Sequence, residues 1–206
     1  TKDEAGKGKK AYEKTVLDPA DLVIVNGEGS FHHNRRNDIY DVGERWPSIL
    51  INTLFQDNNH GERLKSFKYI SCRESFSARE ASKASGRTID TIPDVIFTNE
   101  KLRKLKLNPV KEHVQVGHFS AGDLSTRNTS KVFLENINQY ESTTSISYHS
   151  LIISIMLGQT IKEVLKANTH KNQALIHDME QASSREEYIA SSQKKINTLF
   201  EKIHEY

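Results

Sequence analysis

The chain of 206 residues has one cysteine, four prolines, two methionines and one tryptophan. A lone Cys72 excludes an intrachain disulfide and fits a reducing compartment. No charge of one sign dominates: 29 basic residues balance 27 acidic ones to a formal +2, so composition implies no general affinity for nucleic acid or for an anionic membrane. Long apolar runs are missing too. The longest, "SLIISIMLG", is about half of what a membrane span requires. The opening "TKDEAGKGKKAYEK" supplies the basic start of a secretory signal without its apolar stretch. There is no internal repeat and no low-complexity tract. The first residue is not Met, which fits a fragment or a processed product. Together these absences predict a cytoplasmic chain, with attachment to the inner face of a membrane as a secondary expectation.

Hydrophobic content is 35% and mean hydropathy −0.65. Both are low for a compact domain, but the apolar residues cluster in short runs, so the expectation is a folded chain with a very polar exterior. Residues 1–20 read as a polar segment that frays. From Leu22 strand-like runs alternate with helical ones. "LVIV", "FKYISC", "RTIDTIPDVIF" and "HVQVGHFS" read as strands, and "PSILINTLFQ", "SFSAREASKAS" and "SKVFLENINQY" as helices. "TTSISYHSLIISIMLG" reads as a short strand feeding a buried helix closed by Gly158 at its C′ position. "IKEVLKA" is an ambiguous strand, "NTHKNQALIHDM" a helix capped by Asn168 or Thr169, and the tail from Ser184 an amphipathic helix. Such alternation predicts an α/β fold with a largely parallel sheet and flanking helices. The expected divisions are a first Rossmann-like region over 21–110, a second over 111–183 and the carboxy-terminal helix over 184–206.

In parallel sheets ligands gather at the carboxyl ends of strands. Four polar clusters occupy such ends: "NGEGSFHH", "CRES", "PD" and "GHFSAGD". Gly27 and Gly29 allow a sharp turn and close approach of backbone amides to an anion. "NGEGS" nevertheless lacks the third glycine of the dinucleotide fingerprint and the Lys-Ser/Thr of a P-loop, and a tight strand-to-helix turn explains it as well. Glu28, between two glycines, is a candidate general acid or base. His32 and His33 would point to opposite faces of a strand. Neither HxH nor HExxH spacing occurs, so no metal is expected. Arg73 lies beside a helix start at Ser75, a position suited to a phosphate or carboxylate, although a surface pair with Glu74 or Glu80 is an equal alternative. Asp94 follows a proline at a strand end, where a turn or cap role is common. His149 sits at the start of an apolar helix, and His170 with Lys171 repeats that arrangement.

In this order, "DLVIVNGEGSFHH", "INTLFQDNN", "CRESFSARE", "IPDVIF", "SYHSLIISIMLG" and "NTHKNQALI" resemble the landmarks of the polysaccharide pyruvyl transferase family, over Asp21 to about Ile176. The resemblance implies a fold similar to GT-B glycosyltransferases, two Rossmann-like halves with a cleft between them, the amino-terminal half here being incomplete. It implies transfer of a pyruvyl unit from phosphoenolpyruvate to a sugar of a cell-surface polysaccharide, with no cofactor and no nucleic acid. Arg73 looks like the family arginine for the donor's anionic end, and His149 like the histidine of its Arg-x-His segment. Ser147 stands where that arginine is expected. The landmarks also look like those of retaining Kdo transferases that use a CMP-activated sugar, and the change at Ser147 gives that alternative weight. A non-catalytic glycan-binding or assembly module is a third expectation. The roles implied are Glu28 as acid/base, Asp94 as stabiliser or nucleophile and His149 for phosphate contact or proton transfer. Gly27, Gly29, Ser30, Arg73, Ser147, Asn168, Thr169, His170 and Lys171 would shape or line the donor site. All are expected to meet in one pocket.

Overall fold

The computed structural model describes residues 21–29, 31–117, 124–125, 130–165 and 169–206. Ser30 and Asn168, and the polar segment over 1–20, lie outside the described residues. The chain divides into two compact units, the first ending at Ile92 and the second running from Pro93 to Glu205. Each carries its own parallel sheet flanked by helices, a mixed α/β architecture of Rossmann-like class. The boundary expected at 110 falls instead at Pro93. The 3-10 turn Val95–Thr98 and the short helix Glu100–Lys104 belong with the second unit, where Leu102 joins the apolar cluster around Val114 and Val116.

In the first unit β1 (Val23–Asn26), β3 (Ser48–Thr53), β5 (Tyr69–Cys72) and β6 (Asp90–Thr91) form a parallel sheet in that spatial order. The short pair β2 (Phe31–His32) and β4 (Phe55–Gln56) runs alongside in sequence. Helices α1 (Asp38–Arg45) and α2 (Ser75–Ser85) flank them. Phe31, Tyr40, Leu50, Phe55, Leu64 and Phe67 are the bulk of the core. The helix expected over "PSILINTLFQ" is overturned: these residues are β3 and β4. Five of the six residues of β3 are buried, because a strand inside a parallel sheet is covered on both faces and shows no alternation. Such a run cannot be told from a buried helix by periodicity, and the β-branched Ile49, Ile51 and Thr53 decide it. Helix α1 had no strong sequence signal. It buries Ile39, Tyr40 and Val42, while Asp41 and Glu44 hold Arg63 through contacts of 2.7 and 2.6 Å.

In the second unit α3 (Glu100–Lys104) precedes β7 (Lys111–Gly117), β8 (Leu124–Ser125), α4 (Ser130–Ile137), β9 (Tyr140–Ser145), α5 (Tyr148–Leu157), β10 (Thr160–Val164), α6 (Lys171–Glu180) and α7 (Arg185–Ile203). The strands are parallel in the order β10-β9-β7-β8. The sheet therefore grows one way from β7 to β8 and the other way from β7 through β9 to β10, a reversal of winding between β7 and β9. Central β9 is built from hydroxyl residues: Ser142, Thr143, Thr144 and Ser145 are all buried. Threonine's branched Cβ suits the strand, and the Ser142 hydroxyl is satisfied by donating to the Glu112 carbonyl at 2.8 Å. Helix α5 ends at Gly158 with φ +85°, the left-handed cap expected. Helix α6 starts at Lys171 with His170 in the capping position and no side-chain cap bond, so the capping role expected of Thr169 is corrected. Helix α7 is the tail helix, capped by Ser184, which accepts from the Glu187 N–H. Its apolar face turns inward: Tyr188 stacks edge-on against Phe97, and Ile196 and Leu199 are buried. No helix among the described residues is long and apolar enough to cross a membrane.

Candidate functional site

The candidate residues form two strand-end clusters, one in each unit. In the first unit the loop after β1 is laid against the end of β3. The Gly27 N–H donates to the Ile51 carbonyl at 2.8 Å, and the Leu54 N–H to the Glu28 carbonyl at 2.8 Å. The Arg73 N–H donates to the Thr53 carbonyl at 3.2 Å, so the ends of β1, β3 and β5 are linked in a row. Gly27 is required there: a Cβ would stand 2.5 Å from Thr53 Oγ1 and 3.2 Å from Thr53 Cα. Glu28 itself has φ +30° and is exposed, as is Gly29. Its carboxylate is held out by the backbone rather than enclosed.

Arg73 and Glu74 are buried, at 2% and 0% exposure, and so do not lie at the surface where the sequence left them open to pairing. Glu74 caps α2 through its carboxylate, which accepts from the Ser77 N–H at 3.0 Å and from the Ser77 hydroxyl. Glu80 accepts from the Asp57 N–H. Burial, and then the Glu74 charge, push the Cys72 thiol well above its ordinary value, which makes this cysteine a core residue and not a nucleophile. His32 is part-buried on β2. His33 is exposed, has φ +51° and lies 3.3 Å from Asp57. No group of three or more metal-ligating side chains occurs among the described residues.

In the second unit Asp94 and His149 come together. Asp94 Oδ1 accepts from the Ile96 N–H at 3.0 Å, the capping role open to a strand-end aspartate, and Oδ2 lies 3.6 Å from His149 Nε2. The Asp94 side chain is 3% exposed and that of His149 46%, so a fixed carboxylate backs an imidazole that reaches solvent. Ser145, Ile146 and Ser147 carry the chain from β9 to α5. The Ser145 hydroxyl accepts from the Ser147 N–H at 3.0 Å and shares a hydrogen bond with Ser150, whose hydroxyl also reaches the Ser147 carbonyl at 2.8 Å. Ser147 is the N-cap of α5 without a side-chain cap bond. Asn172, fully buried in the first turn of α6, donates to the Ile146 carbonyl at 2.8 Å and ties the start of α6 to this loop. Thr169 is buried, while His170 and Lys171 are part-buried at the head of α6.

Sequence reasoning missed Asn52, Glu74, Ser150 and Asn172. Glu74 stood in the "CRES" cluster but was read as a surface partner. Asn52 and Asn172 declare their roles only through Asn26 and Ile146, distant in the chain, while Ser150 does so through the nearby Ser145 and Ser147.

No protein-family model matches the chain, and no curated protein matches it. Among solved structures it is similar to an uncharacterized protein from Klebsiella pneumoniae, at 13% identity and a TM-score of 0.57, with 76% of this chain and 70% of that one covered. At that identity the likeness concerns the fold alone, and it agrees with the Rossmann-like class.

Proposed function

We propose that the chain is a GT-B-like transferase of the polysaccharide pyruvyl transferase type, moving a pyruvyl group from phosphoenolpyruvate to a sugar of a surface glycan. The observation that carries this reading is the approach of Asp94 to His149 at the start of α5. A buried carboxylate fixed by a backbone N–H orients a half-exposed imidazole, the arrangement a proton-transfer group requires. Asp94 is enclosed and already accepts a hydrogen bond, so its role is orientation and charge stabilisation rather than nucleophilic attack.

Ketal formation joins two sugar hydroxyl oxygens to C2 of the enolpyruvyl unit. Protonation of C3 makes the methyl group, and the C2–O bond to phosphate breaks. One hydroxyl proton is balanced by the new C–H bond and the other by the departing phosphate. His149 relays these protons. The amino ends of α5 and α6, with Lys171 and His170, favour the phosphate dianion. Glu28, exposed on the first sheet, is assigned to the acceptor.

A second reading is transfer from a CMP-activated sugar. It is favoured by the reversal between β7 and β9, since doubly wound sheets take nucleotides beside such a reversal. Isothermal calorimetry with phosphoenolpyruvate, CMP and CMP-Kdo separates the two. Heat with phosphoenolpyruvate alone is expected, and a turnover loss of about 100- to 1,000-fold in His149→Gln with unchanged unfolding. Binding of CMP alone overturns the first reading in favour of the second, and binding of none rejects both.

A further inference from the structure

The carboxyl end of β3 is irregular where it faces β5, while its pairing with β1 stays in register as far as Asn26 opposite Ile51. Leu50 pairs with Ile70 and Thr53 with Cys72, so β3 accommodates one residue more than β5 over that stretch. The bulge holds Asn52 at φ +55°, a conformation that Asn tolerates better than other side chains. Asn52 is 9% exposed, and its Nδ2 donates to Asn26 Oδ1 at 3.1 Å. Its own Oδ1 is buried and has no hydrogen-bond partner among the described residues. Turning both amides over would bury two N–H donors in place of one oxygen, so the buried residue donates and the exposed one accepts. Asn26, at the end of β1, is exposed, and its amide nitrogen makes no hydrogen bond among the described residues.

A buried bulge residue thus fixes the carboxamide of an exposed one with its NH2 left for something outside the chain. Two residues on, the Glu28 carboxylate is exposed, and the backbone at Glu28 is pinned by the Leu54 N–H. A fixed N–H donor and a carboxylate acceptor on one turn suit a group that both accepts and donates, which is a hydroxyl. Bulges that re-aim side chains occur beside binding sites, and strained conformations persist where the fold over-determines them.

We infer that Asn26 is a ligand-contact residue for a sugar hydroxyl and that Asn52 is its positioning residue. The choice of a sugar rests on the function proposed above; the pre-set amide donor does not. The test uses the 15N-labelled full chain. The side-chain NH2 resonances of Asn26 are identified by their disappearance in Asn26→Asp and followed while methyl pyranosides, phosphoenolpyruvate or inorganic phosphate is added. Saturable movement with a pyranoside is expected. Asn52→Gly, which keeps the left-handed bulge but deletes the clamp, is expected to weaken that response about tenfold, the loss that a misplaced hydrogen bond gives. A purely structural Asn52 would leave the sugar affinity unchanged. Asn26→Asp, on an exposed side chain, is the second variant should Asn52→Gly fold poorly, and its sugar response is read at the Gly27 backbone amide.

Phosphoenolpyruvate binding in calorimetry without any pyranoside response at Asn26 overturns the inference and leaves the proposed function standing. A pyranoside response without phosphoenolpyruvate binding does the reverse. Absence of both overturns both, and sugar affinity within twofold of the native chain in Asn26→Asp rejects the contact outright.

Discussion

The two units build their strand ends by different means. In the first, backbone geometry does the shaping: every described non-glycine residue with positive φ lies there, namely Glu28, His33, Asn34, Arg36, Asn52 and Asp57. A bulge in β3, a glycine packed on Thr53 and a run of inter-loop backbone hydrogen bonds fix the loop that carries Glu28. In the second, no described non-glycine residue has positive φ, and although β10 slips by one residue against β9 between Ile161 and Glu163, side chains fix the loop after β9. Ser145, Ser147, Ser150 and Asn172 knit the β9–α5 loop, and Asp94 backs His149. Backbone shaping holds a side chain outward whatever surrounds it, which suits an exposed carboxylate. A hydroxyl network instead leaves a residue at the start of a helix, where the dipole and neighbouring side chains act on it. Two sheets of one class can therefore fix their strand ends through unrelated residue types.

The contrast can be broken from its most costly point downward. Glu74→Ala removes a buried carboxylate that caps α2 and satisfies Ser77; a loss of about 2–3 kcal/mol in urea-induced unfolding is expected. A change within a few tenths would mean that Glu74 is not holding the first unit's strand end. Gly27→Ala drives a Cβ into Thr53, and overpacking of about 1–3 kcal/mol follows if the backbone there is as constrained as the hydrogen bonds indicate. A neutral result in thermal unfolding would show a loop free to move. Ser150→Ala in the second unit is expected to cost only about 1 kcal/mol, because one hydroxyl of a network is lost and the helix remains. It should lower turnover more than stability if the network places His149. Equal effects of Gly27→Ala and Ser150→Ala on stability would erase the distinction between the units.

The smallest effect concerns pH. Because burial, and then Glu74, raise the Cys72 thiol, the folded chain keeps a proton that the unfolded chain releases in alkali. Unfolding free energy therefore falls as pH rises past the ordinary thiol range, and not on the acid side. Denaturation curves across alkaline pH should be shallower in Cys72→Ala, and alkylation of the native thiol should follow unfolding rather than precede it.

What the sequence determined by itself was local. Alternating runs announced parallel α/β units, Gly158 announced the end of α5, and "NGEG" and "CRES" were read at the strand ends where they lie. These follow from φ preferences and from the short reach of apolar patterning, both of which act over a few residues. It failed at "PSILINTLFQ", since a strand covered on both faces loses the alternation that would mark it. It also placed the division between units at 110, because the affiliation of Pro93–Leu105 depends on what Phe97 and Leu102 pack against. Only the tertiary structure decided that Asp94 meets His149, that Arg73 and Glu74 are enclosed, and that Asn52 holds Asn26. The first and third are contacts between residues distant in sequence, and the second is burial by the folded surroundings. Burial and hydrogen-bond partners are properties of the folded neighbourhood, so no spacing rule along the chain could supply them.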